Sequence, residues 1–159
     1  MHYTITVEEL YKNGYKDIPT RGGVYIVKVP ENFTVEITNN TTGIKEHKGK
    51  NLLYNKEYLE EKYNKVVDKD ILYYGKATSL RNRITSLVKY AYGKCKNHRG
   101  GKALWQIKNS TKLIIEYYIF DDLNDEVKNN NKPRDEEKRL IMEYKNKNNN
   151  ERPFANFKD

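Results

Sequence analysis

Four groups of side chains in this 159-residue chain have types and spacing suited to chemistry. Glu137 comes first. Leu140, Ile141 and Tyr144 follow it at three, four and seven positions, the spacing of one helix face. A carboxylate on an apolar stripe must pair, protonate or hold a cation, because burying it alone is costly. The plainer alternative is a solvated first-turn Glu favoured by the helix dipole, and Asp135 and Glu136 beside it fit that picture. Arg83 lies one residue before Ile84 and flanks the apolar stripe of its predicted helix. There a guanidinium faces whatever the first turn faces, or snorkels over the surface. Tyr25 and the pair Tyr73-Tyr74 sit in two strand-like runs. Strand tyrosines mostly pack. If the two strands pair, however, alternation puts a phenol from each on one face, where phenols position water or transfer a proton. His98 lies in the basic, glycine-rich run Lys94-Cys95-Lys96-Asn97-His98-Arg99-Gly100-Gly101-Lys102, which suits a phosphate contact or an inert surface loop. His2 and His47 carry no pattern, and the three His lack metal-ligand spacing.

These side chains need elements to hold them. Thr6-Val7-Glu8-Glu9 reads as a capping box opening a short helix that stops at Gly14. The apolar, β-branched run 23–29, closed by Pro30, predicts a strand, and 70–74, broken by Gly75, predicts a second. Two alternating runs over 34–48, around Asn39-Asn40-Thr41-Thr42-Gly43, suggest a hairpin. Residues 57–67 carry Tyr58, Leu59, Tyr63 and Val66 near helical spacing. Leu80, Ile84, Leu87, Val88 and Ala91 give the clearest helix, with Thr78 or Ser79 as its cap and Gly93 as its end. A shorter helical run covers 102–108, a third strand covers 112–120, and Pro133 introduces a helix over 134–147. Phe154 and Phe157 in the tail should pack on the body. The pattern is mixed α/β with three strands and three or four helices. There is no internal repeat or clear linker, so residues 1–159 read as one domain.

Composition narrows the class. A net charge of +8 and a pI near 9.3 attract polyanions, nucleic acid above all. No run approaches the roughly 18 apolar residues of a membrane span, and the N-terminal residues lack the charged and apolar regions of a signal peptide. One cysteine, Cys95, excludes an intrachain disulfide framework and a cysteine zinc site. A cytoplasmic, reducing location is the expectation. Of the 19 aromatic residues 14 are Tyr; that many rings argue against disorder, while AT-rich codons account for part of the Tyr, Lys, Asn and Ile bias.

Taken in order, these residues resemble the GIY-YIG nuclease superfamily. Gly23-Val24-Tyr25 stands where the family has its first signature and Tyr73-Tyr74-Gly75 where it has its second. Gly75-Lys76-Ala77-Thr78-Ser79-Leu80-Arg81-Asn82-Arg83 resembles the G-K-A-x-x-L-x-x-R segment of excision-repair members, with Arg83 at the essential arginine. Glu137-Lys138-Arg139-Leu140-Ile141 resembles the E-x-x-[LW]-I helix, and Pro153-Phe154-Ala155-Asn156 the P-x-x-N ending. The resemblance covers about residues 20–159 and is closest to small stand-alone bacterial members, through His98-Arg99-Gly100-Gly101 to Trp105-Gln106 and the Arg-Pro-Phe-Ala-Asn ending. Two departures stand out. The signature tyrosines are 48 residues apart, far more than a compact hairpin needs, so 30–70 reads as an insertion carrying a hairpin and a helix, with an added DNA-contact surface. And where many members place His or Tyr one turn after the arginine, this chain has Leu87, leaving His98, Tyr90 or Tyr92 to substitute.

The resemblance implies an α+β domain with a central three-stranded antiparallel sheet flanked by helices. It implies an endonuclease that hydrolyses DNA phosphodiesters with one Mg²⁺ or Mn²⁺ held by Glu137. Catalysis would fall to Tyr25, Tyr73, Lys76, Arg83, His98, Glu137 and Asn156. Nucleic-acid contacts would fall to Lys76, Arg81, Arg83, Lys94, Lys96, Arg99 and Lys102. Tyr25 would orient or deprotonate water, its pKa lowered by Arg83, Lys76 and the metal. The expected partner is double-stranded DNA, bound by a monomer or homodimer, with affinity falling steeply in salt. Two other classes fit the charge: a non-catalytic DNA- or RNA-binding module whose tyrosines stack on bases, and a protein-interaction domain with a basic surface.

Overall fold

The computed structural model describes residues 2–95, 98, 100–120 and 126–157, the backbone alone for 2, 3 and 126–133. A four-stranded antiparallel sheet runs in the order β1-β6-β2-β5, with β1 at His2–Thr6, β2 at Gly23–Lys28, β5 at Ile71–Ala77 and β6 at Ile114–Ile119. The three strands expected from the sequence are its β6-β2-β5 part. The fourth, β1, is too short and too polar to stand out. Its last residue, Thr6, also caps α1 (Val7–Asn13): Thr6 Oγ1 accepts from Glu9 N at 3.2 Å, and the Glu9 carboxylate accepts from Thr6 N at 3.3 Å. The capping box is therefore present, and the strand leads straight into it.

The register places Tyr25 opposite Gly75 on one side and Tyr117 on the other. Gly75 does not end β5, as the sequence suggested; the strand continues through it to Ala77. A Cβ at Gly75 would lie 2.0 Å from Tyr25 Cζ and 2.4 Å from its Oη. Glycine is there to let a phenol ring lie across the neighbouring strand.

The α3 helix (Leu80–Ala91) is capped by Ser79 and buries Leu80, Ile84, Leu87, Val88 and Ala91, the stripe read from the sequence. It packs on one sheet face with Tyr25, Val27, Tyr73, Ile115 and Trp105 in the larger core. Each such fully buried side chain contributes roughly 1.5–3 kcal/mol. The opposite face carries Ile26 and Tyr74, covered by Ile141 and Tyr144 of α4 (Glu126–Lys147). This helix begins well before the predicted 134 and holds Pro133 in its interior. Proline is favoured at a first helical turn but is not confined to it, and here the helix runs through Pro133 despite the lost donor and the crowding of the preceding turn.

The segment between β2 and β5 is built into the larger core. Ile37 bridges Ile107, and Leu59 of α2 (Lys56–Asn64) is fully buried. Its hairpin pairs β3 (Glu46–His47) with β4 (Lys50–Asn51). The turn falls at Lys48-Gly49, both at positive φ, a geometry that suits tight hairpins. The expected turn at Asn39–Gly43 is instead a loop held by its own side chains, such as Gly43 N donating to Thr41 Oγ1 at 3.0 Å. A 3₁₀ helix at Lys102–Gln106 replaces the predicted helical run. Among the described residues, no helix is long and apolar enough to cross a membrane.

Candidate active site

Strand pairing does put Tyr25 and Tyr73 on one face, with ring centroids 6.2 Å apart, while Tyr74 points to the other face. His98 completes a three-ring cluster, its centroid 6.0 Å from each tyrosine. Its Nε2 is 2.5 Å from Tyr25 Oη. Of the three substitutes for the position held by Leu87, only His98 reaches the cluster. Leu87 and Tyr90 are core residues, the latter against Gly43, and Tyr92 stacks on Tyr11 at 3.7 Å. His98 is fully buried, and its Nδ1 has no hydrogen-bond partner among the described residues. Burial, reinforced by the Arg83 charge, pulls its pKa down to about 3, so the imidazole is neutral at any working pH.

Tyr25 and Tyr73 of this cluster line a cavity of about 610 Å³ together with Lys76, Arg83 and Glu137, and His98 lies buried behind them. Lys76 follows Gly75 on β5, Arg83 projects from the first turns of α3, and Glu137 comes from α4. Glu137 is half-buried at the edge of the Leu140–Ile141–Tyr144 stripe. Burial raises its pKa, and Lys76 and then Arg83 oppose that rise. Burial also drives Tyr25 well above the usual phenol range; the neighbouring Tyr73 adds to it, and Arg83 opposes by charge and hydrogen bonding. Arg83 thus acts in the direction expected, but burial outweighs it, and Tyr25 stays protonated. Tyr73 is pushed up to about 12 by burial first and the Glu137 charge second.

Asn156 works through the edge strand. Its Oδ1 accepts from Tyr74 N at 2.9 Å and its Nδ2 donates to Tyr74 O at 3.0 Å, so one amide side chain continues the ladder on β5. Ala155 N donates to Leu72 O at 2.8 Å beside it. The tail is in turn clamped by Lys62 of α2, whose Nζ donates to the carbonyls of Pro153, Phe154 and Asn156 at 2.9, 2.7 and 3.1 Å.

The expected nucleic-acid contacts divide. Lys76, Arg83 and Lys102 line the cavity. Arg81 does not: Nε and Nη2 donate to the carbonyls of Ile18 and Lys16, both at 2.8 Å, which ties the α1–β2 loop to α3. This corrects its expected role, since those donors are turned toward protein carbonyls. Lys94 is exposed beyond the end of α3 and away from the cavity lining. Lys96 and Arg99 lie outside the described residues. The sequence did not single out Tyr54 or Lys62, and it read Phe157 only as packing. Tyr54 and Phe157 line the cavity, and neither has a spacing that would have revealed it.

Among the described residues, no group of three or more His, Cys, Asp or Glu converges as a metal cage. The donor set is one carboxylate with phenols and an amide nearby. That suits a hard cation such as Mg²⁺, which is bound through one or two carboxylates and substrate phosphates and keeps most of its waters. No family model, no curated protein and no solved structure matches the chain.

Proposed function

We propose that this cavity hydrolyses phosphodiester bonds and that the protein is a metal-dependent DNA endonuclease of the GIY-YIG kind. One observation carries the reading: Tyr25 from β2, Tyr73 and Lys76 from β5, Arg83 from α3 and Glu137 from α4 meet around one cavity. Their order in the chain follows the family's motifs, and an α+β architecture built on an antiparallel sheet is compatible with the reading.

The parts divide the work of the reaction. Arg83 would grip a non-bridging phosphate oxygen with its planar donor fork, and Lys76 adds a point charge. A divalent ion held by Glu137 would supply positive charge against the phosphate and the leaving oxygen. Tyr25 would orient the attacking water. With the imidazole proton on Nδ1, Tyr25 would donate to His98 Nε2, which fixes the direction of its hydroxyl. His98, whose burial holds its pKa down to about 3, would be a positioning partner for Tyr25 rather than the acceptor of water's proton. Tyr73 hydrogen-bonds beside Tyr25, and Asn156 is a positioning residue that fixes β5 under the site. Supercoiled plasmid incubated with Mg²⁺, Mn²⁺ or EDTA tests this: nicking with either metal and none in EDTA is expected. DNA binding with no cutting under any metal would instead favour a non-catalytic basic module.

A further inference from the structure

Another part of the cavity lining has a different character. Tyr54 and Phe157 lie there with ring centroids 4.6 Å apart, and Tyr58 extends the same group, 6.1 Å from Phe157 and 6.4 Å from Tyr54. Tyr58 is 49% exposed, a large ring left open on an otherwise charged helix. The three come from the segment between the signature strands and from the tail, and none has a part in the chemistry above.

Buried polar groups pin this shelf. Gln106, only 1% exposed, accepts from Tyr54 N at 2.8 Å and donates to Tyr54 O at 3.0 Å. Lys62 holds the chain on either side of Ala155 through three carbonyls, and its Nζ sits 4.9 Å from the Phe157 ring centroid. Lys102 Nζ sits 4.8 Å from the Tyr54 ring centroid. The shelf is continuous with a second cavity of about 250 Å³ lined by Tyr58, Phe157, Lys62, Lys65 and Arg152. Its two carboxylates, Glu61 and Glu151, are outnumbered by those three cations, and Glu61 is paired with Lys65 at 3.5 Å.

Rigid aromatic faces with a cationic rim, next to a phosphate-binding cavity, match one ligand chemistry. We propose that Tyr54, Tyr58 and Phe157 form a stacking shelf for an unpaired nucleobase next to the scissile phosphate. The substrate would then be a strand with unpaired nucleotides at the cut rather than an intact duplex. A base reaches an aromatic side chain only after leaving its own stack, and such stacking tolerates any base because every base has a π face. Lys65, Lys102 and Arg152 would carry the flanking backbone. The position of the cut relative to the shelf rests on the nuclease reading; the binding of an unpaired base does not.

The test is therefore binding in EDTA, by fluorescence anisotropy. The probes are a fluorescein-labelled oligo-dT, a strand of equal length with abasic sites, and a blunt duplex. Oligo-dT should bind about tenfold more tightly than the abasic strand, the scale of one stacked base. Tyr58→Ala, at an exposed position that does not threaten the fold, should reduce that ratio severalfold; Phe157→Leu should do the same, and Tyr58→Trp should retain it. Equal affinity for the oligo-dT and abasic strands, or a ratio untouched by Tyr58→Ala and Phe157→Leu, would overturn the shelf. So would blunt duplex binding more tightly than oligo-dT. Failure to cut any nucleic acid would remove the nuclease reading and leave this ratio standing, whereas cutting with no base dependence would remove the shelf alone.

Discussion

The His98–Tyr25 contact makes a quantitative prediction about stability and pH. In the folded protein His98 has a pKa of about 3 against an ordinary 6.5. The unfolded chain therefore binds a proton near pH 6.5 that the folded chain refuses until about pH 3. Between those limits the unfolded state holds more protons, so stability rises with pH and falls on acidification. One such group contributes at most about 1.36 kcal/mol per pH unit. Integrated from about pH 7.5 down to about pH 5, the loss comes to about 2 kcal/mol. Few ordinary carboxylates titrate in that interval, which keeps the background small. His98→Gln removes the titration and keeps an amide oxygen to accept from Tyr25. Urea denaturation of both proteins across the interval is the assay, and taking the difference cancels His2 and His47. Wild type should lose about 2 kcal/mol more than the variant. Parallel losses would mean that His98 is solvated and titrates normally, and its role as a buried, neutral partner of Tyr25 would fail with it.

Two further substitutions probe how the site is held. Gly75→Ala places a methyl 2.0 Å from Tyr25 Cζ. It should destabilise the protein by about 1–3 kcal/mol or more, measured by urea denaturation, and suppress cleavage by displacing the ring; a silent substitution would contradict the close approach. Lys62→Met keeps the aliphatic stem but removes the three donors that clamp the tail. It should cost about 1–3 kcal/mol and make the chain after 150 more sensitive to limited proteolysis, whereas an unchanged digestion pattern would mean the clamp is dispensable.

Much of the machinery was legible in the sequence because single helices and strands encode it. The α3 stripe, its serine cap and the Thr6 capping box are local patterns with one physical solution, and the structure has all three. The Glu137 stripe likewise placed a carboxylate at the edge of a buried face. Pairing of Tyr25 with Tyr73 followed from alternation once the two strands were neighbours. What the sequence did not disclose depends on contacts between distant segments. Gly75 read as a strand end because its function is to accept the ring of Tyr25 from another strand. Arg81 read as a phosphate ligand because nothing local says that Lys16 and Ile18 present their carbonyls to it. His98 was singled out by its basic, glycine-rich loop, but nothing local says that its ring meets Tyr25. The clamp of Lys62 on the tail and the hold of Gln106 on Tyr54 join residues 91 and 52 positions apart, beyond any periodicity.

The most direct test of the central claim is single-turnover cleavage by Glu137→Gln beside wild type, with folding and DNA affinity matched between the two. The variant preserves shape and hydrogen bonding but removes the charge that would hold the divalent ion. Loss of at least about 100-fold in rate, the scale of removing one group that stabilises charge in the transition state, with DNA affinity retained, is the predicted result. Cleavage at the wild-type rate by a folded Glu137→Gln protein would contradict the assignment of this cavity as a metal-dependent nuclease site.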